Sequence, residues 1–336
     1  MKKNQKMKLS KIKTSLFKAT THTGVLLLLL FFSASLSAQQ TTMDKIQKDA
    51  PSNWGKWGPE DKIGGLNYLD DAQTLRGIQE VKTGKRFTLQ LPMTHGVGPV
   101  FPGRLPVEHF MSQDESTFAS GKKDILPGGM KYSDDVVYMY LQGTSHVDAL
   151  GHAWYGNQIY GGKSANNTVD GHSFVGVGEL AEKGITGRGI LIDVGVALGD
   201  ANGRLAPNTC ITLDDIKAVA KKQGVTIEKR DILVIRTGSM GRFYDEEDHK
   251  NWEASTEPGL CYSKELVQWI ADMEIPVIAS DNLAVEKSFQ EIDGEQAVIP
   301  LHEDCKKDKK YTFFFSAAPL KMKKGSGSPV NPIVIK

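Results

Sequence analysis

The sequence predicts an α/β fold, and three observations predict it. Two short apolar runs, "GRGILIDVGVA" (187–197) and "RDILVIRTG" (230–238), are bounded by glycine and charge, the pattern of buried strands. Between and after them lie two stretches with helical spacing, "TLDDIKAVAKKQG" (212–224) and "SKELVQWIADMEI" (263–275). A third apolar segment, "PVIASDNLAVE" (276–286), follows the second helix directly. Strands alternating with helices imply a sheet flanked by helices.

Each element has a local reason. In 212–224, Thr212 is placed to cap the helix, acidic residues occupy the first turn, lysines the last, and Gly224 stops it. "DDVVYMYLQG" (134–143) is rich in β-branched and aromatic residues and reads as a strand leading into the next segment, and "YTFFFSAAPL" (311–320) reads as another. "KKGSGSPVNP" (323–332) reads as a glycine-rich turn. "GVGPVFPGRLPVEHFMSQDES" (96–116) is turn-rich and reads as a long surface loop, in which His109 and Phe110 are candidates to line a pocket, with a plain surface position the favoured alternative for His109. No fixed-period repeat interrupts this order.

The first 38 residues are of a different kind. A basic leader precedes the apolar run Val25–Phe32, and small residues follow to Ala38. That order is expected of a secretory signal peptide, and the run is shorter than the roughly 20 apolar residues that span a bilayer. No cysteine near the expected cut offers a lipid attachment point. The expected mature chain therefore starts near Gln39, in a secreted or periplasmic compartment, with 39–52 as a loose polar arm and 53–336 as the folded domain. Removing the seven lysines of the leader takes the formal charge from +1 to −6. An acidic chain argues against nucleic acid or an anionic membrane as partner.

Cys210, Cys261 and Cys305 are odd in number and isolated, with no C-x-x-C pair. Buried or incidental thiols are the favoured expectation. One disulfide in an oxidising compartment is the alternative, and spacing does not say which two would pair.

The segment richest in chemistry is "YLQGTSHVDALGHAWY" (140–155). Along an extended chain His146 and Asp148 point to the same side. Gly143 lets the backbone bend, and the small Thr144 and Ser145 leave room beside the pair. An imidazole and a carboxylate on one face suit Zn²⁺ or Mn²⁺. His152, four residues after Asp148, is placed to act as a general base. The alternative is a strand-end histidine hydrogen-bonded to Asp148 with no ion. Trp154, Tyr155 and Tyr160 form either an aromatic wall for a flat substrate or part of the core. Glu286 reads as a pocket acid or a structural carboxylate, Arg236 as a site residue or the partner of an internal carboxylate, and His172 as turn chemistry. "GSGSP" lacks the Lys-Ser/Thr ending of a phosphate loop and the last glycine of a nucleophile elbow.

This segment resembles the hallmark His-x-Gly-Thr-His-x-Asp-Ala-Pro-x-His of the cyclase family of metal-dependent hydrolases, the bacterial kynurenine formamidase and isatin hydrolase group. Further similar segments follow in order: "NWGKWGPEDKIGGLNYL", "WYGNQIYGG", "GRGILIDV", "ILVIRTG", "ASDNLAVE" and "AAPLKMKKGSGSPVNPI". The resemblance implies a swivelling β/α/β fold, hydrolysis of a cyclic or aryl-linked amide, a small-molecule substrate, and a homodimer or larger assembly. It implies His146 and Asp148 as metal ligands, His152 as acid/base, and His302 as a further residue of the metal centre. Two departures stand out. Gln142 occupies the place of the first histidine as a candidate ligand; an amide oxygen is a poorer zinc ligand than imidazole, so Gln142 either weakens the site, favours Mn²⁺, or hydrogen-bonds the bound water. After His302 and Glu303 the chain runs almost directly into the last strand, so a helix-length piece carrying a glutamate ligand is expected to be missing. These departures keep a second expectation open, a family member that binds a ligand without turning it over.

Overall fold

The computed structural model describes Ile46 and residues 50–292, 294–298 and 311–336. The chain divides into two units, Met1–Lys48 and Asp49–Lys336, and every element below lies in the second. The expected leader, the residues His302 and Glu303 with the shortened segment after them, and Cys305 lie outside the described residues.

Along the chain run α1 (Asp71–Ile78), β1 (Arg86–Thr88), β2 (Glu108–Gln113), α2 (Glu115–Ala119), β3 (Asp134–Tyr138), β4 (His146–Asp148), α3 (Val177–Lys183), β5 (Ile185–Asp193) and α4 (Val194–Leu198). Then come β6 (Cys210–Ile211), α5 (Leu213–Gln223), β7 (Ile232–Arg236), β8 (Gly259–Leu260), α6 (Lys264–Asp272), β9 (Ile278–Ser280), β10 (Thr312–Ala317), β11 (Gly327–Pro329) and β12 (Ile333–Ile335). Six strands form one mixed sheet in the order β1-β12-β10-β5-β7-β9. β5, β7 and β9 run parallel, and β10 runs antiparallel to both β5 and β12.

The apolar runs became central strands because both faces of the sheet are covered. Alternation with period two sends Ile190, Ile192, Leu233 and Ile235 into one core with Ile216 and Val219 of α5. Leu191, Ile232 and Val234 go to the other face, with Leu66, Leu180, Phe313 and Phe315. The caps match the local chemistry. Thr212 and Asp215 form a reciprocal capping box on α5, and Gly224 ends it at φ 70°.

Four expectations are corrected. The segment 96–116 is not all loop, because 108–113 is a strand paired with β3 and followed by α2. β2 is exposed along most of its length, so burial leaves no period in its sequence; pairing with a partner some 20 residues downstream makes it a strand. β3 ends at Tyr138 instead of running into the motif. The glycine-rich 323–332 contains β11, which pairs antiparallel with β4. Finally, Cys210 and Cys261 form a disulfide instead of remaining thiols, with Cα atoms 5.3 Å apart. The parallel pairing of β6 with β8 brings these cysteines together from 51 residues apart.

Candidate active site

β4 is only three residues long and is held by its partner. In the ladder, Gly327 lies opposite Asp148, Ser328 opposite Val147 and Pro329 opposite His146. Ala149 N donates to Ser326 O at 3.0 Å, and Val330 N donates to Ser145 O at 3.0 Å, closing both ends. The chain then turns, with His152 N donating to Ala149 O at 2.9 Å, which brings His152 back over Asp148.

The side chains converge as the alternation requires. His146 Nε2 lies 3.5 Å from Asp148 Oδ1, and His152 Nε2 lies 3.8 Å from Asp148 Oδ2. His146 Nδ1 is 2.6 Å from Thr144 O. A carbonyl can only accept, so Nδ1 carries the hydrogen and Nε2 presents its lone pair toward Asp148. Gln142 is buried, with its amide nitrogen donating to Ser326 Oγ at 3.0 Å and making a long 3.4 Å contact with His152 Nδ1.

Burial dominates the electrostatics. It pushes the imidazoles of His146 and His152 below their ordinary range, leaving both neutral near pH 7. Burial also pushes Asp148 upward, opposed by His146, Arg104 and Gln142. Arg104 reaches this cluster from the turn-rich segment, donating to Gln142 O at 3.3 Å, and its charge acts on all three groups. His172 stands behind the turn. A Cβ on Gly151 would lie 2.7 Å from its Nδ1, and that buried nitrogen has no hydrogen-bond partner among the described residues.

The donor set fits a borderline metal ion in its chemistry. A neutral imidazole oriented by a backbone carbonyl through its other nitrogen, beside a carboxylate, is how ligating histidines are held. In number it is short. Among the described residues no three or more His, Cys, Asp or Glu side chains are grouped so as to hold a metal. Gln142 turns its amide nitrogen, a donor, toward the cluster.

The cluster forms one wall of a cavity of about 400 Å³, within the roughly 300–1,000 Å³ of small-molecule sites. The other candidates fall elsewhere. Trp154, Tyr155, His109 and Phe110 do not line this cavity. His109 and Phe110 are exposed on β2, where His109 Nε2 pairs with Asp135 at 2.6 Å and Phe110 packs edge-on against His95. Trp154 is 43% exposed. Tyr160 donates its hydroxyl to Asp61 at 2.7 Å and anchors a loop. Arg236 is buried against Asp193 at 2.8 Å, an internal ion pair away from the cluster.

Sequence spacing missed Arg104, Ser326 and Gly327. Arg104 sits in a segment with no periodic signal. Ser326 and Gly327 lie nearly 180 residues beyond the motif, where only the resemblance of the closing segment pointed to them.

Comparison with known proteins agrees with this architecture. No curated protein matches the chain. Among solved structures, one described as a novel cyclase is 29% identical, with a TM-score of 0.72, over 85% of this chain and 99% of that one. Isatin hydrolase A from Ralstonia solanacearum is 16% identical, with a TM-score of 0.52, over 75% of this chain and 92% of that one. Isatin hydrolase A from Labrenzia aggregata, bound to benzyl benzoate, is 18% identical, with a TM-score of 0.50, over 81% and 98%. The family model described as "Putative cyclase" matches residues 87–287, a span that holds the motif, β5, β7 and β9. The chain belongs to the cyclase family.

Proposed function

We propose that the protein is a metal-dependent hydrolase that cleaves the C–N bond of a cyclic or aryl amide, of formamide or lactam type. The observation that carries this reading is the convergence of His146, Asp148 and His152 on one wall of a cavity. His146 Nε2 and Asp148 would hold the ion, Zn²⁺ or Mn²⁺, with His302 as the family-implied further ligand. When bound, the ion supplies Lewis acidity toward the scissile carbonyl and the attacking water.

The chain's own residues move the protons. His152, neutral near pH 7, takes a proton from the water as its oxygen bonds to the carbonyl carbon. The same nitrogen returns that proton to the leaving nitrogen as the C–N bond breaks. Gln142 decides which form of His152 is ready. With its amide nitrogen toward Nδ1, the Nε2–H faces Asp148; with its oxygen there, the Nε2 lone pair does, and the base step needs the second. Ser326 Oγ can donate or accept, so it tolerates either orientation of the amide. On this reading Gln142 positions the base instead of ligating the ion.

Export accounts for two features, the leader-like composition of residues 1–38 and the Cys210–Cys261 disulfide, which persists in oxidising compartments. A homo-oligomer accounts for the apolar surface of the β2–β3 hairpin, where Phe110, Met111, Val136, Val137 and Tyr138 are all exposed.

One observation favours a second reading, a binding protein without turnover: the ligand set is incomplete among the described residues. Metal content per chain, measured by mass spectrometry on the wild type and on His146→Ala, separates the two when set beside turnover of an amide and lactam panel by wild type and His152→Ala. The hydrolase predicts stoichiometric metal lost in the first variant, and turnover reduced about 10²- to 10⁴-fold in the second. Metal-free wild type, without turnover after incubation with Zn²⁺ and Mn²⁺, would leave the binding protein standing.

A further inference from the structure

The cavity beside the cluster opens into the core itself. Leu66, Leu180, Ile185, Ala279, Phe315 and Val330 line it, and all six belong to the hydrophobic cluster on one face of the sheet. The side chains on this part of the lining are apolar, so an ordered water there would have few side-chain partners.

Charge is distributed just as unevenly. Among the described lining residues, His146, Asp148 and His152 are the only titratable side chains, and all three stand on the wall where the chemistry is placed. Arg104 is not part of the lining, and the single aromatic ring is Phe315. A carboxylate or ammonium entering this space would lose part of its hydration and meet no counter-charge among the described lining residues beyond the cluster, a cost of at least about tenfold in affinity. An aliphatic group would instead replace water with apolar walls at no such cost.

Resting on the hydrolase reading, we infer that the substrate is a neutral amide or lactam whose non-reacting part is an uncharged, mainly aliphatic group. That group lies in the core cavity with the scissile carbonyl at His146, Asp148 and His152. Amides that carry a carboxylate or an ammonium on that group are excluded. Ala279 on β9 and Ile270 on α6 both line this cavity.

Calorimetric titration tests this on the intact mature protein without requiring turnover. The probes are butanamide, pentanamide and hexanamide, with adipic acid monoamide and 6-aminohexanamide as charged counterparts of hexanamide. Affinity is expected to rise roughly fourfold per methylene along the neutral series. Hexanamide is expected to bind at least about tenfold more tightly than either charged probe. Filling the cavity with Ala279→Phe removes binding of the neutral series. Should that variant fail to fold, Ile270→Ala carries the test by shifting the tightest probe to a longer chain.

Equal binding of charged and neutral probes overturns the inference, as does a neutral series indifferent to both variants. The hydrolase reading survives either result. Chain-length-dependent binding that Ala279→Phe abolishes, with no turnover of any amide, supports the cavity assignment and sinks the hydrolase.

Discussion

Gly327 shows how closely the cluster is fitted. A Cβ there would lie 2.5 Å from Gln142 Nε2, 3.0 Å from Val147 O and 3.1 Å from Asp148 Oδ1, so a side chain at this point of β11 must push Gln142 and Asp148 aside. Gly327→Ala is expected to leave the far-ultraviolet circular dichroism unchanged while displacing Gln142 and Asp148. A displacement near 1 Å at a reacting centre costs about 10²-fold in turnover; wild-type turnover in the variant would show that the contact is slack. Glu286 gives a pH signature. Burial raises its carboxyl to about 8, and its Oε2 has no hydrogen-bond partner among the described residues. Because the folded value lies above the ordinary 4.5, its contribution is complete below pH 4.5, declines as pH rises, and is lost above about 8. Glu257, raised to about 7, acts with the same sign. The depressed His146 and His152 act with the opposite sign in this range, so the test is a difference: between pH 5 and 8 the thermal midpoint of Glu286→Gln should fall less, or rise more, than that of the wild type. An identical slope in the variant would place the titration elsewhere.

Single elements depend on partners distant in sequence. β6 and β8 are two residues each, too short to hold one another, and the Cys210–Cys261 bridge ties them. Closing a loop of 51 residues removes unfolded-chain entropy worth about 4 kcal/mol by the chain-entropy estimate. Cys210→Ser should lower stability in denaturant by about 2–4 kcal/mol. Thiol titration of the unfolded wild type should find one thiol per chain before reduction and three after. Three before reduction would remove the bridge. The helices were far more legible than these strands. For α5, the Thr212 cap, the acidic first turn and Gly224 are local instructions, and the structure obeys them residue by residue. β2 and β11 carry no comparable instruction, because each is made by a partner.

At the scale of the molecule, the β2–β3 hairpin is a two-stranded sheet with apolar residues exposed on it. Such a hairpin is marginal alone in water, which is why a second copy of the chain is the proposed cover. Light scattering of the mature protein should give a dimer or larger. Val136→Lys combined with Tyr138→Lys should shift it to monomer without loss of secondary structure. A monomeric wild type would end that proposal.

The amino-acid sequence by itself determined the α/β class, the central strands and the convergence of His146 and Asp148. Each follows from a short-range rule: period-two alternation, helix capping, or same-side projection along a strand. Only the tertiary structure decided that Arg104 and Ser326 join the cluster, that Cys210 meets Cys261, and that the cluster opens into an aliphatic cavity instead of facing Trp154 and Tyr155. These depend on which strands pair and what packs across the sheet, and such long-range contacts leave no period in the residues that make them.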